Sequence, residues 1–434
     1  VVDSIAWPLT VPQTSDGSNF GGGAGIELQN GGSLVARDVL LERVTGDGIA
    51  IYAGCSADLE RLVVRDGQFS VPAPNELETT GGDGIRIQGG GFSSTTASLR
   101  DVLVEGNRYY GVRVEGAGTV VEFDDLTITD TGPTQRGRAG WGLVVHDSAQ
   151  VTIRGFVSER NTTVGAVAFA DGVLEIDDAV VRDIRPDVTT GTGIGLGASV
   201  GGTLIVDGAD VSGCAGAGLA AFEDGLLRAT DATVTGSGMA NAVVLGADLE
   251  LIGGSLTSPT RSPSFGGQVG VFAWDFLRPS RLLVDGTAIG EAAGPAIYLR
   301  GEGQHEIRGA DLFDSGDPAG APGGVLAIDG SGAWDPVEQT GLLVVDTTMR
   351  SLNGDAILLH GTGATIDGNT FLDVAGDALR VQGCDPAAPP DVEILDQAEA
   401  DSDSRAGRTP SLRRCSGTAP GPSWPPSPSR PASP

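Results

Sequence analysis

A unit of one small residue followed by apolar, any and apolar recurs fourteen times along this chain, and that repetition constrains the fold more than any other property. Copies include Gly25-Ile26-Glu27-Leu28, Gly48-Ile49-Ala50-Ile51, Gly84-Ile85-Arg86-Ile87, Gly111-Val112-Arg113-Val114 and Gly142-Leu143-Val144-Val145. Later copies are Gly193-Ile194-Gly195-Leu196, Ala296-Ile297-Tyr298-Leu299 and Ala378-Leu379-Arg380-Val381. The shortest spacings are 22 to 24 residues, and longer ones carry insertions. A second signature follows each copy: apolar-any-apolar, two turn residues, apolar-any-apolar, as in Leu204-Ile205-Val206-Asp207-Gly208-Ala209-Asp210-Val211 and Leu282 to Ile289. Each period therefore holds about three short strands with Gly, Asp or Asn at the corners, residue types that tolerate left-handed backbone or bond to nearby backbone.

One such coil cannot bury its inward side chains alone. Stacking solves this, because every strand pairs in parallel with its equivalent one period later, about 4.8 Å away. Parallel crossovers are strongly biased to the right hand. The expected fold is all-β, a single-stranded right-handed parallel β-helix of about 14 coils and roughly 65 Å in length.

These coils, with their Gly-Asp-Gly-Ile and apolar-Asp-Gly-Asn corners (Gly82-Asp83-Gly84-Ile85, Ile366-Asp367-Gly368-Asn369), resemble the pectate-lyase-like superfamily of right-handed β-helix proteins, and most of all its divergent bacterial repeat members. The resemblance covers about Gly21 to Leu395. It implies the fold far more than an activity, since that superfamily includes lyases, hydrolases, adhesins and inert scaffolds.

Composition agrees with many strands and tight turns. Of 434 residues, 69 are glycine and 40% are apolar, with few aromatics. The net charge is −30, and every one of the 27 basic residues is arginine. So acidic a chain lacks the basic surface that nucleic-acid binding requires. No apolar run is long enough to span a bilayer. Cys55, Cys214, Cys384 and Cys415 are too few for a disulfide framework and lack zinc-type spacing. Cys55 and Cys384 fall some twelve coils, about 58 Å, apart and cannot bond, which leaves Cys384 with Cys415 as the pair within reach.

The domain reading is a partial coil or insertion over 1–20, at an N-terminus expected to be truncated, a β-helix over 21–395, and a Pro-, Ser- and Arg-rich tail or linker over 396–434, expected to be disordered. Insertions at 66–84, 131–139, 258–268, 314–323 and 332–340 mark flanks where loops stack beside the coils.

Polygalacturonase-type hydrolysis would need a Gly-His-Gly element and an Arg-any-Lys element. The chain has no lysine, and His360-Gly361 is its one partial echo. A lyase would need a cation such as calcium and an arginine or lysine base. The weak catalytic candidates are Arg86, Arg113, Glu115 and Asp83. Arg86 and Arg113 take the same outward position on consecutive coils, with Gln88 and Glu115 two residues further on, and Arg136 and Arg138 follow in the next insertion. Two stacked arginines repel unless a carboxylate, sulfate or phosphate bridges them. The bland reading is a solvated network neutralised by Glu115, and Asp83 reads first as a corner residue.

An outward column should also hold Tyr52, His146, Phe169, Phe222, Trp274, Arg300 and His360, with Phe272 and Tyr298 in the column beside it. Such a row suits sugar rings, although packing of the coils competes for Phe169 and Phe222. The ligand-binding candidates are therefore Arg86, Arg113, Arg136, Arg138, Phe169, Phe222, Trp274, Tyr298 and Arg300. Acidic turns offer ligands to calcium, but no metal set is assigned and no cofactor is required. The favoured function is a secreted or cell-surface scaffold that binds polysaccharide. The alternatives are a lyase (less readily a hydrolase) of acidic glycans, and a structural stalk.

Overall fold

A computed structural model describes residues 24–67, 82–90, 93–133, 139–187, 191–260, 268–275, 277–316, 322–329, 341–382, 392–395 and 398–399. Arg136, Arg138, Cys384, Cys415 and the two terminal segments named above lie outside the described residues, apart from the two-residue strand Ala398–Glu399. The fold is all-β, a right-handed parallel β-helix. Among the described residues, no helix is long and apolar enough to cross a membrane.

Fourteen parallel strands, from Ile26–Leu28 to Leu379–Gln382, form one sheet in which each strand pairs with its equivalent in the next coil. The register is the one the repeat predicts: Ile26, Ile49, Ile85, Val112 and Leu143 stand in one ladder. In the N-terminal half, one long strand per coil, such as Gln150–Glu159, wraps the other two sides. From Asp248 onward those sides are separate strands, beginning with Asp248–Ile252 and Ser255–Thr257.

The long strands bend where one residue takes left-handed backbone. From Asp125 to Gly253 these residues alternate: Asp125, Gly155, Asp178, Gly208, Asp231, Gly253, whereas the earlier bends hold Asp38, Arg61 and Asp101. A Cβ at Gly155 would sit 2.5 Å from Oδ1 of Asp125, so each aspartate leans over the next coil and glycine leaves room for it. The alternation also keeps carboxylates two coils, about 9.6 Å, apart.

Inside, aliphatic ladders run the length of the helix as one continuous apolar core. Buried asparagines tie coils together at another corner. Asn161 accepts from the Thr131 backbone N–H at 2.8 Å and donates to the Ile128 carbonyl at 3.0 Å, while Asn369 does the same with Thr347 and Val344. Each amide thus satisfies backbone groups that the turn removes from the ladder. Cys55 and Cys214 are buried free thiols.

Candidate functional site

The outer face of the fourteen-stranded sheet carries three side-chain columns. The central one reads Glu27, Ala50, Arg86, Arg113, Val144, Val167, Gly197, Ala220, Val243, Phe272, Tyr298, Leu326, Leu358 and Arg380. Beside it run Gln88, Glu115, His146, Phe169, Ser199, Phe222, Leu245, Trp274, Arg300, Ile328, His360 and Gln382. Arg86 and Arg113 are adjacent in the central column, whereas Ser199 and Leu245 separate Phe169, Phe222 and Trp274 in the second.

Glu115 bridges the two arginines. Arg86 donates to its Oε1 from Nε at 2.9 Å and from a terminal nitrogen at 2.6 Å, and Arg113 bonds its Oε2. A second donation joins Arg86 to the Gln88 side-chain carbonyl at 3.0 Å. His146 stands one coil beyond Glu115, with Nε2 3.1 Å from Glu115 Oε2 and Nδ1 3.1 Å from Asp147 Oδ2. Arg113 Nε also lies 3.1 Å from His146 Nε2, so that nitrogen sits between Arg113 and Glu115 Oε2. Rings flank both guanidiniums: Arg86 lies 5.9 Å from the centre of Tyr52, and Arg113 lies 5.4 Å from that of Tyr110.

This cluster is drier than a solvated network. The Glu115 side chain is 5% exposed, against 25% for Arg86 and 22% for Arg113. Burial alone would raise the Glu115 carboxyl, and His146, Arg113 and Arg86 more than reverse that, holding it at about 2. One buried carboxylate thus faces two guanidiniums, each with an edge left to solvent.

Asp83 is indeed at a coil corner, in the column that continues through Tyr110 and Trp141. It is also buried, and its Oδ1 has no hydrogen-bond partner. Its backbone N–H donates to Asp47 Oδ1 at 3.4 Å. Burial, reinforced by the negative charge of Asp47, pushes Asp83 well above the ordinary carboxylate range; burial also raises Asp47. Sequence reasoning missed Asp47 and Tyr110 as members of this site, and it placed Tyr52 and His146 only in the aromatic row. The repeat itself held the signal for His146, because the Gly111 and Gly142 copies put it one coil from Glu115.

Glu115, His146 and Asp147 offer ligand atoms within 4.8 Å of one another. They fit a metal ion poorly, since a cation there would have to displace two guanidiniums from Glu115.

Further along the face the aromatic candidates divide. Phe169 packs against the buried outer residues Val144, Val164 and Val167, and Phe222 against Ala217, Ala220, Ala240 and Val243. Phe272 and Tyr298 instead stack on each other with ring centres 5.3 Å apart, and Arg300 lies 5.1 Å over the ring of Trp274.

No family model and no curated protein matches this chain. Among solved structures it is similar to a mannuronan C-5 epimerase A-module from Azotobacter vinelandii, at 12% identity and a TM-score of 0.37, covering 88% of this chain and 92% of that one. It is also similar to a PL6 alginate lyase in complex with a trisaccharide, at 11% identity and a TM-score of 0.29, covering 87% and 92%. A third is the Siphovirus 9NA tailspike receptor binding domain, at 8% identity and a TM-score of 0.24, covering 89% and 75%.

Proposed function

We propose that the outer face of the fourteen-stranded sheet binds an anionic polysaccharide outside the cell, with Arg86 and Arg113 as the principal contacts for its acid groups. The observation that carries this reading is the Arg86–Glu115–Arg113 bridge. Glu115 is buried and bridges both guanidiniums, whose side chains stay 25% and 22% exposed. Arginine suits the task because its planar fork donates to a carboxylate or sulfate through two parallel N–H groups. Tyr52 and Tyr110 support the guanidiniums from the side and limit their rotamers, which reduces the entropy lost on binding.

A second reading, lyase chemistry on a uronate, is favoured by one contact: His146 Nε2 beside Arg113. There Arg113 would neutralise the uronate carboxylate and His146 Nε2 would take the α-proton. The electron pair of that C–H bond would form the new C=C bond as the glycosidic C–O bond breaks, and the departing oxygen would gain a proton from water. That step requires Nε2 to release Arg113 first, so binding without turnover remains the preferred function.

The test is affinity electrophoresis or calorimetry with alginate, polygalacturonate, a sulfated glycan and neutral dextran, each with calcium and with chelator. Retention by acidic but not neutral polymers, lost at high salt and in Arg86→Gln or Arg113→Gln, supports the proposal. Absence of retention on every acidic polymer overturns it. Growth of ultraviolet absorbance in the same mixtures, abolished by His146→Ala, replaces it with the lyase reading.

A further inference from the structure

We infer that Phe272, Trp274, Tyr298 and Arg300 form a second saccharide subsite, engaged by a distant unit of the same polysaccharide chain that Arg86 and Arg113 hold. This inference rests on the binding function proposed above and adds a required ligand length. Six strand steps separate Arg113 from Trp274 in the sheet, a distance of about 29 Å along the helix axis.

Four observations carry it. Arg300 makes no ion pair among the described residues, whereas Arg86, Arg113 and Arg380 of the same face are all paired with carboxylates. The Arg300 guanidinium lies over Trp274 at 5.1 Å, an arrangement that fixes its plane and leaves its N–H edge free to donate. Beside it, Phe272 and Tyr298 stack at an interplanar angle of 24°, and Phe272 meets Trp274 edge to face at 6.5 Å. These rings are half-buried and make a broad apolar platform of the kind a pyranose face covers, with the ring substituents within reach of Arg300.

The surface between the two clusters matters as much. The central column there, Val144, Val167, Gly197, Ala220 and Val243, is buried beneath Phe169, Ile194, Phe222, Met239 and Leu245, so the surface between the clusters is apolar and carries no charge in these residues. Two weak contacts on one rigid rod then act as a bivalent site, and the second adds affinity through effective concentration without any change in the first.

The experiment uses the full chain and alginate fractions graded in length. Fragments much shorter than about 29 Å reach one cluster at a time, and their affinity for the Arg86–Arg113 cluster is expected to be the same in wild type, Trp274→Ala and Arg300→Gln. The polymer is expected to bind wild type about 10- to 100-fold tighter than the fragments and to lose most of that advantage in either variant. Equal polymer affinity in wild type and Arg300→Gln overturns the inference, and that variant decides the matter if Trp274→Ala does not fold. Loss of fragment binding in Arg113→Gln, with polymer binding insensitive to Arg300→Gln, leaves the binding function standing and removes the second subsite alone.

Discussion

Two stretches of the same sheet face, built on the same strand geometry, solve opposite problems. From Arg86 to His146 the outward columns are charged; from Val144 to Val243 they are small and apolar. Parallel stacking repeats each position about every 4.8 Å, so a column multiplies whatever chemistry it carries. Aliphatic neighbours gain contact from this, and Val144, Ala220 and Val243 are almost wholly buried although they point away from the core. Arginine neighbours repel, and they coexist because a single glutamate in the adjacent column reaches both. The aspartate and glycine alternation at the bends meets the same constraint by spacing its charges. A polar site on a β-helix face is therefore a local exception that carries its own counter-charge.

The largest effect should come from removing that counter-charge. Glu115→Ala leaves two half-buried guanidiniums facing each other and is expected to destabilise the chain by about 3–5 kcal/mol in chemical denaturation. Val243→Asp, an unpaired carboxylate placed in the dry stretch, should cost several kcal/mol by the same measure, roughly 2–5. Equal and small losses at both positions would erase the contrast between the two regions.

Acid should separate the regions by pH. Glu115 is held at about 2 in the folded chain, below its ordinary 4.5, so its stabilisation is complete above the higher value and is lost as pH falls through the lower one. That loss amounts to about 3 kcal/mol and should vanish in Glu115→Gln. His305 acts at milder acidity. It is buried between Leu282 and Leu342 of the neighbouring coils, and neither ring nitrogen has a hydrogen-bond partner. Burial pushes it down to about 4 from an ordinary 6.5. Between those values the unfolded chain binds a proton that the folded one refuses, so stability falls as pH drops from 6.5 to 4, again by about 3 kcal/mol. His305→Leu should flatten the pH dependence in that window and leave the lower one intact, as read by melting temperature across pH. The smallest effect is expected on the other sides of the coil, where Arg182→Ala breaks an exposed pair with Asp210 and should cost less than about 1 kcal/mol.

Much of this was legible in the sequence because a β-helix turns period into proximity. The small-apolar-any-apolar copies gave the ladder from Ile26 to Leu143, and simple counting aligned Arg86 with Arg113 and Trp274 with Arg300. Other features had no such signal. Asp47 and Asp83 look like every other corner aspartate in the repeat, yet Asp83 is dry with its Oδ1 unpartnered while Asp125 lies at an open bend. Phe169 and Trp274 occupy one column and differ in role, since the first packs on neighbouring valines and the second lies under an arginine.

The amino-acid sequence alone determined the coil, its register and the membership of each column, because those follow from hydrophobic periodicity and backbone pairing, which local residue types encode. Only the tertiary structure decided which side chains within a column are dry, which guanidiniums share Glu115, and that Arg300 makes no ion pair among the described residues. Those outcomes depend on rotamers and solvent exclusion set jointly by three or more coils, and no single repeat contains that information.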